Sequence, residues 1–160
     1  MLFRDLTPVM ADADAFAEVV DGLAECLPTY AVDAIVGIEA RGFPYGAALA
    51  LRLGVGFITM RKPGKLPGDV HSQQYDLEYG STTLELHQDA LGPGSRVVIV
   101  DDVLATGGTA GAAIDLVRRT GASVIAFAVV LDLPSLGGRA VIAERGVTLA
   151  SLLHDESPVE

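Results

Sequence analysis

Cysteine is nearly absent from this chain of 160 residues, and basic residues are few. The single cysteine, Cys26, cannot form an internal disulfide, which fits a protein of the reducing cytoplasm. The 11 basic residues against 21 acidic ones give a formal net charge of −10, which argues against a surface that binds nucleic acid or membranes. The first residues lack the basic and then apolar layout of a signal peptide. We therefore expect a cytoplasmic protein with no nucleic-acid or membrane partner.

Long hydrophobic runs, clustered histidines and the commonest phosphate-binding motifs are also missing. Charged residues interrupt every apolar stretch before it reaches the length of a membrane span. His71, His87 and His154 are too scattered to indicate a zinc site. Neither the Walker pattern Gly-x-x-x-x-Gly-Lys-[Ser/Thr] nor the dinucleotide pattern Gly-x-Gly-x-x-Gly occurs. Any phosphate site must therefore use a different loop.

Half of the residues are hydrophobic and the mean hydropathy is +0.41, which argues against disorder and favours one domain with a substantial core. Short apolar runs alternate with helical patterns, and this order predicts a parallel-centred α/β sheet flanked by helices. The predicted strands are 34–38, 56–61, 96–100, 123–131 and 148–153. Four helices are predicted. The first is capped by Asp12 or Asp14 and ended by Pro28, and the others lie at about 44–53, 109–120 and 140–145.

Two segments depart from this alternation. Residues 2–8 are predicted to be short and extended, since Pro8 disfavours a helical Thr7. Residues 62–80 are rich in proline, glycine and polar side chains, and a long insert of this kind is typical of a lid or a binding loop. Residues 75–79 and 82–86 alternate well enough to predict a hairpin at its end.

Residues 96–109 carry the strongest functional pattern. A buried strand over 96–100 is followed by Asp101 and Asp102, and then by a run of small residues: Ala105, Thr106, Gly107, Gly108 and Thr109. Ligands of open α/β sheets bind beyond the carboxyl ends of the strands. The glycines let backbone N–H groups close around an anion, and the threonine hydroxyls and the next helix add further donors. The loop therefore predicts a phosphate site, and its aspartates suit sugar hydroxyls or a phosphate-bound metal ion.

The acidic pair followed by Ala-Thr-Gly-Gly-Thr resembles the signature of the phosphoribosyltransferases, which bind 5-phosphoribosyl 1-pyrophosphate. Four further segments, in order and at the expected spacing, are similar to the adenine phosphoribosyltransferase family. They are Phe3-Arg4-Asp5-Leu6-Thr7, Glu39-Ala40-Arg41-Gly42-Phe43, Arg61-Lys62-Pro63-Gly64-Lys65-Leu66-Pro67-Gly68 and Tyr75-Asp76-Leu77-Glu78-Tyr79-Gly80. The resemblance covers nearly the whole chain.

This resemblance implies the type I phosphoribosyltransferase fold in one domain over 1–160, with a partial N-terminal hood at 1–10 and a mobile loop at 62–80. It implies a purine-salvage enzyme that uses magnesium to join adenine to the phosphoribosyl group, giving AMP and pyrophosphate, and it implies a homodimer. Family members carry a further helix before the Phe-Arg-Asp segment, whereas this chain begins at Met1. Either the start codon is misplaced or the hood is shorter.

The same resemblance assigns roles to individual residues. Glu78 is implied to manage proton movement on adenine, against the alternative of a hairpin glutamate that faces water. Arg41, Arg61 and Lys65 are implied as catalytic cations that clamp pyrophosphate. Pyrophosphate binding is implied for Glu39, Ala40, Arg41, Gly42 and Lys62, with a cis peptide in that loop. Phosphoribosyl and AMP binding is implied for Asp101, Asp102, Ala105, Thr106, Gly107, Gly108 and Thr109. Adenine binding is implied for Phe3 and Arg4, and magnesium binding, directly or through water, for Asp101 and Asp102.

Two other functions remain open on the sequence. A phosphoribosyltransferase for a 6-oxopurine or a pyrimidine would share the acidic pair and its loop, although the 6-oxopurine enzymes lack the Leu-Glu-Tyr-Gly segment. A regulatory protein that binds 5-phosphoribosyl 1-pyrophosphate without catalysis would need a nucleic-acid surface, which this acidic composition does not indicate.

Overall fold

The structure is a computed structural model in which residues 5–28, 31–76 and 80–156 are described. The strands are β1 (Ala34–Ile38), β2 (Gly56–Met60), β3 (Val70–Asp76), β4 (Ser81–His87), β5 (Arg96–Leu104), β6 (Ser123–Asp132) and β7 (Thr148–His154). The helices are α1 (Thr7–Ala11), α2 (Ala13–Cys26), α3 (Gly42–Leu53), α4 (Gly108–Arg118) and α5 (Gly138–Glu144), with a 3₁₀ turn at Pro134–Leu136. Among these described helices, none is both long and apolar enough to cross a membrane.

Five strands form one parallel sheet in the order β2-β1-β5-β6-β7. Every residue of β1 is buried, and β5 and β6 are buried over most of their length. Strands covered on both faces read as continuous apolar runs, which is why the sequence pattern identifies them. The prediction of a parallel-centred α/β sheet flanked by helices is confirmed.

Helices cover both faces of the sheet and divide the core into two hydrophobic clusters. One cluster joins Ile99 of β5 to Leu116 of α4. The other joins Val98 of β5 to Leu23 of α2 and Leu49 of α3. Since successive strand residues point to opposite faces, β5 is packed between α4 on one side and α3 on the other.

Strands β3 and β4 form a separate antiparallel hairpin. An isolated two-stranded sheet is marginally stable in water, so the hairpin needs support from the rest of the protein. Leu84 and Leu86 of β4 supply it by lying in the same core cluster as Leu116. Arg61 and Glu85 also exchange backbone hydrogen bonds of 2.9 and 2.7 Å, which tie the end of β2 to β4.

The structure corrects two predicted segments that bear on the site. Strand β5 continues through Leu104, so Asp101 and Asp102 lie within the strand rather than after it, and their side chains alternate between its faces. The insert at 62–80 is not structureless, because β3 occupies Val70–Asp76, which begins before the predicted strand at 75–79. A hairpin is present and its second strand matches the prediction at 82–86, but its first strand was predicted too far along the chain.

The amino-terminal helices show one error and one success of the sequence prediction. Thr7 begins helix α1 rather than an extended segment, because Pro8 stands in the first helical turn, where its missing N–H is not needed. The Thr7 N–H, which has no partner within the helix, donates to the Asp5 side chain at 2.9 Å. Asp12, one of the two predicted caps, begins α2 by accepting a 2.9 Å hydrogen bond from the Ala15 N–H.

Replacing Leu116 with alanine should lower the free energy of unfolding by about 2–5 kcal/mol, because a fully buried leucine leaves a cavity behind. Leu51, which is 85% exposed on α3, is the matched control, and its alanine variant should change that free energy by less than about 0.5 kcal/mol. Urea unfolding followed by circular dichroism measures both variants. Equal losses would contradict the assigned burial.

Candidate active site

The candidate site lies where the neighbouring strands β1 and β5 end. Helix α3 begins at Gly42, and a Cβ atom there would lie 2.5 Å from the Val100 carbonyl oxygen and 3.1 Å from Asp101 Cα. A residue with a side chain could not make this approach. The start of α3 is therefore packed against β5, which brings residues 39–41 beside the acidic pair.

Residues 105–109 form the turn between β5 and α4. With Asp101 and Phe127 among their neighbours, they line a cavity of about 90 Å³. Gly107 has a φ of 87°, a left-handed conformation that favours glycine, and it directly precedes α4. The first N–H groups of a helix have no partner within the helix and carry a partial positive charge. The turn therefore has the chemistry of an anion site.

Helix α5 supports this turn from behind. The Gly138 N–H donates to the Ala105 carbonyl oxygen at 2.9 Å, and any Cβ atom at Gly138 would collide with that oxygen. The next residue, Arg139, forms an ion pair with Asp132, a fully buried carboxylate at the end of β6. The start of α5 is thus fixed to the sheet, and the turn is fixed to α5.

Asp101 and Asp102 meet different partners on the two faces of β5. Asp102 is 5% exposed and forms an ion pair with Arg41, whose Nε lies 2.6 Å from Asp102 Oδ2. Asp101 lines the cavity of the turn, and burial together with the charge of Asp102 raises the pKa of Asp101 well above its usual value. A cation or a hydrogen-bond donor at Asp101 would lower this cost of ionisation.

Glu39, directly after β1, is the centre of a second charged cluster. Its side chain is 7% exposed; its carboxylate lies 2.5 Å from Lys65 Nζ and 3.4 Å from Arg61 Nε, and accepts a 2.9 Å hydrogen bond from the Lys62 N–H. Burial alone would raise the pKa of Glu39, but the hydrogen bonds from Lys65, Lys62 and Arg61 outweigh it and lower the pKa to about 2. Glu39 is therefore ionised at neutral pH. The peptide bond between Glu39 and Ala40 is cis.

The segment that carries Arg61 and Lys65 is held at several further points. Arg61 Nη1 donates to the Lys65 carbonyl oxygen at 3.3 Å, and the Arg61 guanidinium carbon lies 5.9 Å from the centre of the Phe43 ring. The Gly64 N–H donates to Glu85 Oε2 at 3.0 Å. The beginning of the predicted mobile loop is thus tied to β1, α3 and β4.

The structure gathers most of the predicted site residues into two groups. These are Arg41, Asp101, Asp102 and the turn 105–109 on one hand, and Glu39, Arg61 and Lys65 on the other. Lys62 joins the second group through its backbone N–H. Phe3, Arg4 and Glu78 lie outside the described residues, so their implied contacts with adenine stay predictions.

Two residues near the site have contacts that the sequence does not predict. Glu85 of β4 binds the Gly64 N–H, and the Tyr75 hydroxyl of β3 lies 3.3 Å from Thr109 Oγ1. The alternating pattern indicates that a hairpin exists. It contains no signal for where the hairpin rests against α4 and the 61–65 segment, and both contacts depend on that placement.

Comparisons with known proteins agree with this geometry. The family model of the phosphoribosyl transferase domain matches residues 11–148. An anion-binding turn after a central parallel strand is what this class of protein requires. An adenine phosphoribosyltransferase of Streptomyces coelicolor is 53% identical over 155 residues, which are 96% of this chain and 85% of that protein.

Two solved structures are similar over the same extent. The adenine phosphoribosyltransferase of Thermoanaerobacter pseudethanolicus has a TM-score of 0.93 at 47% identity, covering 97% of this chain and 89% of that one. The Saccharomyces cerevisiae enzyme, complexed with an imino-altritol bisphosphate and adenine, has a TM-score of 0.89 at 41% identity, covering 96% and 88%. The chain therefore belongs to the phosphoribosyltransferases, within the adenine phosphoribosyltransferase family.

Replacing Glu39 with glutamine should lower the free energy of unfolding at pH 7 by about 1–3 kcal/mol, because charge-assisted hydrogen bonds are lost. The pKa of Glu39 is depressed in the folded protein, so its contribution is complete above the ordinary value near 4.5 and is lost as the pH falls toward about 2. The difference between the wild type and the variant should therefore be constant from pH 8 to 6 and shrink below about pH 4.5. Urea unfolding at several pH values measures it, and a difference that grows on acidification would contradict the assigned ion pairs.

Proposed function

We propose that the chain transfers the 5-phosphoribosyl group of 5-phosphoribosyl 1-pyrophosphate to adenine, giving AMP and pyrophosphate in purine salvage. One observation supports this proposal above the others. An anion-binding turn, an acidic pair and a cation cluster lie together at the neighbouring ends of β1 and β5. Membership of the family and the adenine bound to the yeast relative support adenine as the acceptor.

The turn 105–109 holds the 5-phosphate in this proposal. Backbone N–H groups at the start of α4 and the hydroxyls of Thr106 and Thr109 donate hydrogen bonds to the phosphate oxygens. Asp101 and Asp102 can only accept when ionised, so they receive hydrogen bonds from the ribose hydroxyls rather than contact the phosphate. The cavity between β5 and α4 supports this division, because Asp101 lines it together with the turn 105–109.

The cations act on the leaving pyrophosphate. Displacement at the anomeric carbon develops positive charge on the sugar and negative charge on pyrophosphate, which oriented charges stabilise. We assign this role to Arg41, Arg61 and Lys65, with the backbone of Ala40 and Gly42; the Lys62 side chain is a further candidate. Glu39 has a pKa of about 2 and as an anion repels phosphate, so it serves pyrophosphate indirectly, by holding Arg61 and Lys65.

Magnesium fits the site as an ion shared with the substrate. Within the described ranges, no three His, Cys, Asp or Glu side chains gather into a metal-binding group. Mg²⁺ is commonly held by one or two carboxylates together with substrate phosphates, and Asp101 and Asp102 offer such a pair. These aspartates would hold the ion directly or through water. The ion would supply positive charge to the pyrophosphate oxygens.

Adenine recognition and proton transfer are assigned to three residues that lie outside the described ranges. We assign stacking on the base to Phe3 and hydrogen bonding with its edge to the Arg4 backbone. Glu78 manages the proton that adenine loses as its N9 attacks the sugar, a task suited to a carboxylate within hydrogen-bonding distance. These assignments follow from the family resemblance of the segments that carry the three residues.

The proposal extends to the organisation of the chain. Residues 1–160 form one phosphoribosyltransferase domain with a hood at 1–10 and a lid loop within 62–80. The chain is a homodimer, as the resemblance implies. A cytoplasmic location fits Cys26, which is a free and exposed thiol.

Incubation with 5-phosphoribosyl 1-pyrophosphate, Mg²⁺ and adenine should give AMP, while hypoxanthine, guanine and xanthine in parallel reactions should give at most about a hundredth of that rate. Chromatography of the nucleotide products measures this directly. Turnover of another base would keep the reaction class and change the substrate. Binding of the donor without any turnover would favour the regulatory alternative.

Replacing Glu78 with glutamine should lower kcat by about 100-fold or more, because a general acid–base group typically contributes that much. AMP affinity should change much less, since the phosphate and ribose contacts remain. Glu18, an exposed residue of α2, is the matched control for Glu→Gln replacement. Initial rates and calorimetry with AMP separate the two effects, and equal losses of kcat and affinity would argue against a part in proton transfer.

A further inference from the structure

Tyr75 links the hairpin to the anion-binding turn. Its ring packs against the core cluster that contains Leu116. Its hydroxyl oxygen accepts a 3.3 Å hydrogen bond from Thr109 Oγ1, in the first turn of α4. The same strand passes directly over Gly108. A Cβ atom on Gly108 would lie 3.1 Å from the Asp76 carbonyl oxygen and 3.6 Å from Tyr75 Cδ2.

The opposite end of α4 also holds β3. Arg119 Nη1 donates to the Ser72 carbonyl oxygen at 2.5 Å. Strand β3 is therefore attached near both ends of the helix, and the position of Tyr75 over Thr109 follows from the register of the whole strand. In that register Tyr75 is paired with Thr82 of β4.

The chemistry of two hydroxyl groups gives this contact a direction when phosphate binds. A phosphate dianion has no hydrogens, so the Thr109 hydroxyl must donate its single hydrogen to a phosphate oxygen. The Thr109 oxygen then keeps only lone pairs for Tyr75. The hydrogen bond between the two hydroxyls therefore reverses when phosphate binds: the Tyr75 hydroxyl becomes the donor and Thr109 Oγ1 the acceptor. Hydrogen bonds arranged in such a chain strengthen one another.

We propose that Tyr75 is a positioning residue for the 5-phosphate: its hydroxyl donates to Thr109 and orients the Thr109 hydrogen toward the phosphate. This inference rests on the proposed function, because the turn must hold a phosphate for the orientation to matter. It adds a residue from the hairpin, outside both the acidic pair and the turn, to the set that determines donor affinity.

The direct test is Tyr75→Phe, which removes the hydroxyl and keeps the ring. AMP and ribose 5-phosphate should each bind roughly 3- to 10-fold more weakly by calorimetry, as expected for the loss of one hydrogen bond. Pyrophosphate with Mg²⁺ should bind within about twofold of the wild type. Because the phosphate contact is equal in the ground state and the transition state, KM for the donor should rise with kcat nearly unchanged. Equal weakening of all three ligands would indicate general disruption and overturn the proposal.

Coupling with Thr109 provides the sharper test. In a Thr109→Val background, which lacks the threonine hydroxyl, Tyr75→Phe should have no further effect on AMP affinity. In a Thr109→Ser background, which keeps a hydroxyl, the effect should return. Additive losses in the Thr109→Val background would overturn the proposal.

Thr82→Val is the matched control, because it alters the residue paired with Tyr75 and leaves both hydroxyls of the contact in place. Its AMP affinity should equal that of the wild type, and thermal unfolding should show that each variant is folded. A wild type that binds neither AMP nor ribose 5-phosphate would refute the proposed function. A wild type that binds both, with Tyr75→Phe binding them equally well, would refute only the role of Tyr75.

Discussion

Helices α3 and α5 approach the end of β5 closely because a glycine stands at each point of contact. Gly42 lies against the backbone of β5, and Gly138 lies against the Ala105 carbonyl oxygen. The first contact carries Arg41 to Asp102, and the second supports the turn from behind. Larger residues at these two positions would separate the groups that hold sugar and phosphate while leaving each group intact.

The charges of the site are nearly balanced, although its proposed ligands are strongly anionic. Arg41 is paired with Asp102, and Arg61 and Lys65 are paired with Glu39. These pairs hold the cations in a fixed geometry, so little reorganisation is needed when an anion arrives. The pairs leave only a small net positive charge. Affinity for an anion must therefore also come from the fixed N–H donors at the start of α4 and from a divalent cation that the substrate carries. An acidic chain can therefore bind a highly charged donor.

The sheet could be predicted from the sequence, whereas the details of the site could only partly be predicted. Buried parallel strands are continuous apolar runs, so 34–38 was located to the residue. The apolar pattern of β5 stops at Val100, and it does not show that pairing with β6 carries the strand onward through the aspartates to Leu104. The residues of the turn were identified by their composition. The contacts of Glu39 and Tyr75 join distant segments, and no local pattern contains that information.

The order of the strands has a consequence for how the chain folds during synthesis. Strand β1 pairs on one side with β2, which follows after a single helix, and on the other side with β5, which follows only after the whole hairpin. While the ribosome makes the hairpin, the apolar edge of β1 has no partner, and such edges favour aggregation. Pairing over this sequence distance is also intrinsically slow. Strand β5, which builds the site, therefore covers the edge of β1 only after the whole hairpin has been made, and its own other edge stays unpaired until β6 follows.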